Sequence, residues 1–483
     1  MFKGRSLRKN GKFYTTIFIA GLFILTTLLS IGFGALNKNL NIAGDVEFQG
    51  EVGNMIKSWA NSGSSDFHSD TYKNKIKTID FLDNKNIPNN AVVTWDVSVN
   101  SDGKVMAWII DDPNNSGYYK LYIGANGDII GNPDSSDMFY GFSNTEEINF
   151  NDNFDTSQVT NMFYMFDNSY NLTALDLSCF DTSNVIDMGE MFSRCYSLED
   201  LNISSFNTSK VVNMGNMFQG IAVSELHLNN FNTSNVRWMN EMFLNCYNLT
   251  YIDVTSFDTR NVESFFEMFY QCTSLQTIDL SSFRTPSLNN ATEMFCYCTS
   301  IDNLDFSNFT FASDTIINAM FANCENLINI TFTGINTHNV YNFGDLFYNC
   351  YSLIDLDLSS FDTSNASTLN NMFYGCNNLT NLDLSSFDTS KVIDMDGMFY
   401  ECYSLANLDL SSFNTLKVTD MNNMFYDCYN LEEIIISSLW NISSVRYSDY
   451  MFYNCTNLPN YDSNVIDVSM AKPTTQGGYL TLV

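Results

Sequence analysis

The chain has 483 residues, 45% of them hydrophobic and 15% aromatic, and its 22 Lys and Arg face 54 Asp and Glu for a formal charge of −32. That apolar content is enough for a continuous core and excludes a disordered chain. The charge excludes nucleic acid and anionic lipid as partners, since a polyanion repels both, and leaves cations and basic proteins.

Five basic residues, Lys3, Arg5, Arg8, Lys9 and Lys12, precede an apolar run from Phe13 to Ala35. A positive leader followed by an apolar stretch addresses a chain to the secretory machinery. The run is also long enough to span a bilayer if left uncut. Residues 1–36 are therefore expected to be a signal peptide or an N-terminal membrane anchor, and the protein to be secreted or held at the cell surface.

Residues 37–137 read as an N-terminal cap. Ile76, Ile79 and Phe81 have the spacing LxxLxL, and Ile148 and Phe150 carry it again after an interruption. Between them lie three β-like runs, Val92 to Val99, Val105 to Ile110 and Tyr118 to Ile123, in which apolar and aromatic residues alternate. Turn signals such as Ser101-Asp102-Gly103 separate them, which predicts a small antiparallel insert bearing Trp95 and Trp108.

From 138 to 458 the chain repeats itself. The pair Met-Phe, or Leu-Phe at Leu346, returns thirteen times from Met138 to Met451, with ten of the twelve steps 25 or 26 residues and two of 27. So regular a period means a solenoid of small stacked units. In one unit, Leu198, Leu201 and Ile203 supply LxxLxL, the strand of a leucine-rich repeat, whose alternate residues point inward. Phe206 follows, with Phe180, Phe231, Phe257, Phe283, Phe309, Phe361, Phe387 and Phe413 as equivalents and Ile335 and Leu439 as substitutes, and predicts an internal aromatic row. A turn such as Asp181-Thr182-Ser183 comes next. The return reads Val185-x-x-Met188-x-x-Met191-Phe192-x-x-Cys195, whose steps of three and four predict a short helical or 3₁₀ segment, with methionine as core filler. The predicted fold is an α/β solenoid: one long parallel sheet, short helical returns, and caps at both ends. Residues 459–483 form the second cap, with a terminal strand over Gly477 to Val483.

Ten of the twelve cysteines share one position: Cys195, Cys246, Cys272, Cys298, Cys324, Cys350, Cys376, Cys402, Cys428 and Cys455. In an exported chain an even count invites disulfides. Stacked equivalents, however, would have their Cβ atoms near the ~4.8 Å strand spacing, beyond the ~3.5–4.5 Å of a disulfide. A row of buried thiols is the favoured reading, ahead of disulfides and of zinc.

The segments MFYGCNNLTNLDLSSFDTSKVIDMDGMF (372–399) and MFYECYSLANLDLSSFNTLKVTDMNNMF (398–425) closely resemble the 26-residue repeat of the BspA-like leucine-rich repeat surface proteins of bacteria, including their Mycoplasma-type lipoprotein branch. The cap sequence YKNKIKTIDFLDNKNIPNNAVVTWDVS resembles that family too. The resemblance implies a surface protein associated with adhesion and carries over no catalytic residue. A lipoprotein needs a cysteine right after its signal, and the first here is Cys179, so lipid anchoring is not expected.

The residue between the two core leucines of each strand should face outward on the concave sheet. Asp176, Asp253, Asp279, Asp305, Asp357, Asp383 and Asp409 hold that place, with Asn202, His227, Thr331 and Ile435 between them. Such a row suits a basic partner, or Ca²⁺ as the one candidate metal, since carboxylate oxygens suit a hard cation. Tyrosines after the cysteines, Tyr196, Tyr247, Tyr351, Tyr403 and Tyr429, are a second candidate surface. His68, His227 and His338 are isolated and no phosphate loop, nucleophile motif or metal spacing occurs. The expected function is therefore non-enzymatic: adhesion, or binding of a host or neighbouring-cell surface protein or glycan, by a monomer without cofactor. The competing reading is a structural, self-associating component of a surface layer.

Overall fold

The computed structural model describes residues 53–60, 65–313 and 315–483, so the leader and apolar run lie outside the described residues. Short strands recur where LxxLxL occurs, among them Ala174–Asp176, Glu225–His227, Asn303–Asp305 and Asn407–Asp409. They pair in parallel and in register one repeat apart, Leu175 opposite Leu201, Leu226 opposite Ile252 and Leu408 opposite Ile434. The middle residue is buried and its neighbours face out, the period of two that a strand imposes. The expected single long sheet is divided, however, into one seven-stranded sheet and several of two or three strands. Residues 277–279 carry the pattern and form no strand. Each coil of the array contributes only two to four strand residues there, so one missed backbone bond ends the ladder.

The helical return is corrected outright: among the described residues the array contains no helix. Its N–H groups alternate between two kinds of partner instead. Those of Met188, Glu190, Phe192 and Arg194 donate to the carbonyls of Asn213, Gly215, Met217 and Gln219 in the next coil, at 2.7–3.1 Å. Those of Met191, Ser193 and Cys195 donate three residues back, to Met188, Glu190 and Phe192. The path is thus a string of tight turns in which every second N–H joins a sheet-like ladder. Two residues per coil sit in the left-handed region, Glu190 at φ 54° and Arg194 at 60°, or Asn371 at 51° and Gly375 at 70°, and these interrupt any helix. A helix would satisfy its own backbone. Here a second coil lies close enough to supply the carbonyls. Bridges between equivalent residues run without a break from Asp134 to Tyr447, so the continuous ladder of this molecule lies on the return side.

One hydrophobic core runs the length of the array. The second residue of each Met-Phe pair stacks on its equivalents from Phe139 to Phe452, with centroids 5.0–6.4 Å apart and planes within about 15°. The row at Phe206 is buried as expected but stacks more loosely, Phe206 on Phe231 at 6.4 Å and Phe387 on Phe413 at 6.5 Å. Leu439 departs from it and is 47% exposed. Its coil is one of the two with 27 residues, and the extra residue puts Trp440 against the core, its Nε1 donating to the Ala471 carbonyl at 3.2 Å.

All twelve cysteines are free. The position has a further use: each thiol of the row donates to the carbonyl of the Met-Phe phenylalanine one coil back, Cys195 to Phe166 at 3.2 Å and Cys428 to Phe399 at 2.9 Å. In one of the three coils without the cysteine, the Ser169 hydroxyl reaches the Phe139 carbonyl at 3.3 Å. A small weak donor that can be buried suits that site.

In the cap, Val93–Asp96, Val105–Asp111 and Tyr119–Ala125 form the antiparallel insert, and Tyr119–Ala125 also pairs in parallel with Ile76–Leu82. Ile76–Leu82 in turn pairs with Glu147–Asn149, so the insert covers the edge that the first coil would leave open. Trp108 is buried and stacks on Tyr122. At the other end Thr481–Leu482 pairs in parallel with Glu433–Ile436, and buried Tyr479 meets Phe452 edge-on at 5.3 Å, closing the phenylalanine stack.

Candidate binding surface

The seven aspartates are exposed or half-exposed and hold equivalent positions of the repeat, four of them as the last residue of a strand. Every one of them does the same local work. Its Oδ1 accepts the backbone N–H two residues on, from Ser178 at 3.0 Å to Asp176, Thr255 at 3.1 Å to Asp253, and Ser281, Ser307, Ser359 and Ser385 at 2.9 Å to Asp279, Asp305, Asp357 and Asp383; Ser411 reaches Asp409 at 2.8 Å. Asn202 replaces aspartate in the same bond, taken from Ser204 at 3.2 Å, and donates across the coils to Asp176 at 2.8 Å. The carboxylates are thus aimed by an Asx turn, which favours short polar side chains after a strand. Hydrogen bonds from the residue two on, its hydroxyl and its N–H, hold Asp253, Asp279, Asp357 and Asp383 below the ordinary carboxylate range, and the Ser178 N–H does the same for Asp176. These five carboxylates therefore stay charged, and in all seven one oxygen lies outside the backbone bond. Among the described residues no three His, Cys, Asp or Glu side chains are gathered as a metal ion requires.

A second Asx row follows each Phe, as in Asp181 accepting Ser183 N–H at 2.9 Å and Asp388 accepting Ser390 N–H at 2.9 Å. The threonine after it is buried and holds the next coil by both donating and accepting. Thr182 Oγ1 donates to the Asn207 carbonyl at 3.1 Å and accepts the Asn207 N–H at 2.7 Å. Thr208, Thr233, Thr259, Thr285, Thr337 and Thr363 repeat the exchange. Sequence reasoning assigned this threonine to its own turn. The signal missed was its recurrence as threonine in all but two coils, where Phe311 and Ile442 stand in its place, since a serine would supply the same turn bond.

The return face carries half-buried acids that the sequence did not single out. Asp187 is pushed up to about 6 by burial, and Asp396 likewise to about 6. Burial raises Glu190 to about 7 and Glu267 to about 8, where Glu241 and Glu293 on the flanking coils add their like charge. Each of these groups binds its proton more tightly folded than unfolded. Their contribution to stability is complete below the ordinary value of 4.5 for glutamate and is lost as pH rises through about 8. Asp176, Asp253, Asp279, Asp357 and Asp383 act oppositely, their contribution being lost as pH falls below the ordinary 3.8. Melting temperature, followed by circular dichroism, is expected to peak near pH 5 and fall toward pH 9. Glu267→Gln should flatten the alkaline fall. An unchanged or rising Tm between pH 6 and 9 would contradict the assignment.

Residues 134–247, 222–332, 315–437 and 378–476 each match the family described as Mycoplasma protein of unknown function, DUF285. No curated protein matches the chain. Among solved structures, a leucine-rich repeat protein from Eubacterium ventriosum is similar, at 16% identity and TM-score 0.36 over 77% of this chain and 97% of that one. The TLR13-ssRNA13 complex is similar at 16% identity and TM-score 0.24, over 69% of this chain and 50% of that one.

Proposed function

The chain belongs to the DUF285 family of Mycoplasma repeat proteins, which its overlapping matches cover from 134 to 476, and on that premise we propose that it is a non-enzymatic surface protein whose stacked coils form one solenoid that binds a basic partner on another cell. The observation that carries the reading is the aspartate row: seven carboxylates, each aimed by the same backbone bond, repeated on one face. Repetition of one polar device along a rigid scaffold suits recognition of an extended surface, whereas catalysis needs unlike groups brought to one point. The leader and apolar run of residues 1–36 support export and attachment at the N-terminus. A basic protein fits better than calcium, because one oxygen of each aspartate is already taken by a backbone N–H.

Asp357→Asn, Asp383→Asn and Asp409→Asn together test the reading without disturbing the fold, since Asn202 shows that an amide oxygen accepts the same bond. Labelled wild-type chain is expected to bind host cells saturably, and the triple variant to bind several-fold more weakly with unchanged Tm. Chelation of calcium should leave both measurements where they were. No saturable binding to cells, with self-assembly instead, would make the protein a surface-layer component.

A further inference from the structure

Five consecutive coils, from the one starting at Leu346 to the one starting at Met451, carry a tyrosine two residues after the Met or Leu of the pair. The rings of Tyr348, Tyr374, Tyr400, Tyr426 and Tyr453 stack face to face with centroids 4.4, 4.2, 4.5 and 4.6 Å apart and planes within 19°. This is closer than the buried phenylalanine stack beside it, and the rings are only half-buried or, at Tyr453, 41% exposed. Coil stacking does not require them. Ser193, Gln219, Leu244 and Ala322 hold the same position in earlier coils, whose phenylalanines stack equally well.

What the row presents is set by its own packing. Each internal ring has both faces covered by its neighbours, so it offers hydroxyls and ring edges, and a sugar ring has no free face to lie on. Glu401 and Asp427, both in the left-handed conformation, stand one residue beyond Tyr400 and Tyr426. The basic side chains Lys417 and Arg446 of this stretch lie elsewhere, lining a shallow groove with Ile393 and Leu416. Burial and the neighbouring acids push the hydroxyls of Tyr374, Tyr400, Tyr403 and Tyr426 up, Tyr426 to about 12, so they remain neutral across physiological pH.

We propose that this tyrosine row and its two acids form a second docking surface, for an arginine-bearing basic segment of a partner protein. A guanidinium presents several donors in one plane, pairs with a carboxylate through two of them, and can bond a phenolic oxygen with another. A lysine ammonium gains the charge attraction and little else. A second copy of the chain would set Glu401 and Asp427 against their own equivalents. The inference rests on the reading of the chain as a binder, but on a different face from the aspartate row.

The test titrates the full chain with an oligoarginine peptide and a length-matched oligolysine at high salt, where unspecific attraction to a polyanion is screened. The expected result is an arginine peptide that binds about tenfold tighter than the lysine one, and that loses about tenfold when Tyr374→Ser and Tyr400→Ser are combined, or Glu401→Gln and Asp427→Asn. Tyr400→Phe, which keeps the stack and removes the hydroxyl, should lose part of the affinity at unchanged Tm. Bound oligoarginine should also protect the row's tyrosines from iodination in the unaltered chain. The proposal is overturned if both peptides bind alike, or if the tyrosine and acid variants bind as the unaltered chain does. Loss of binding in the strand-aspartate triple variant instead would place the contact on that face, leaving the function intact and this surface without a role.

Discussion

Phe373→Ala is expected to lower stability by about 3–5 kcal/mol, the usual cost of removing a fully buried phenyl ring. The side chain is inaccessible to solvent and lies between Phe347 at 5.9 Å and Phe399 at 5.7 Å, each within 11° of parallel. Collapse cannot fill the gap, because the coils on either side are held apart by their own backbone bonds, Phe347 N–H to the Met372 carbonyl and Phe373 N–H to that of Met398. The lesion also sits between neighbours that contact each other only through this coil. In a stacked array each unit depends on the adjoining interfaces, so loss of one divides the unfolding transition. Urea titration should show a lower midpoint and a broader or biphasic curve, and limited proteolysis should cut first near residue 373. A single sharp transition with an unchanged midpoint would mean that the phenylalanine stack does not couple the coils.

Thr259→Val should cost about 2–4 kcal/mol although it barely changes the size of the side chain. Thr259 is inaccessible to solvent, donates to the Arg284 carbonyl at 2.8 Å and accepts the Arg284 N–H at 2.9 Å. Valine leaves the Arg284 N–H without its partner in a dry site, and an unpaired buried group costs more than an ordinary hydrogen bond contributes. Thr259→Ser keeps the hydroxyl and loses one methyl, so it should be markedly milder, about 1 kcal/mol. Comparing the two variants by urea titration separates the hydrogen bond from the packing. Equal losses would assign the threonine row to packing alone.

These expectations concern residues that differ in how plainly the sequence marked them. The Met-Phe period and the LxxLxL spacing were legible because burial repeats at fixed intervals, and a side chain that must face inward in every coil leaves a hydrophobic mark at every coil. Phe373 was placed in the core on that ground. The aspartates were legible as outward-facing for the same reason. Their Asx bonds were not, because a turn's hydrogen bond depends on where the chain goes after the strand. Thr259 looked like an ordinary turn residue, since its partner lies 25 residues away. The tyrosine row was the least visible, as tyrosine follows the Met-Phe pair in some coils and not in others.

The sequence by itself determined the repeat length, nearly all of the buried positions and the strongly acidic composition. Each follows from local composition or period, which need no knowledge of neighbours. Only the tertiary structure decided that the return path is a string of turns rather than a helix. Steps of three and four between apolar residues fit either form. The choice falls to the backbone, whose N–H groups find carbonyls one coil away when coils stack closely enough and otherwise must find them in their own turn. The same stacking distance turns isolated threonines, phenylalanines and tyrosines into rows.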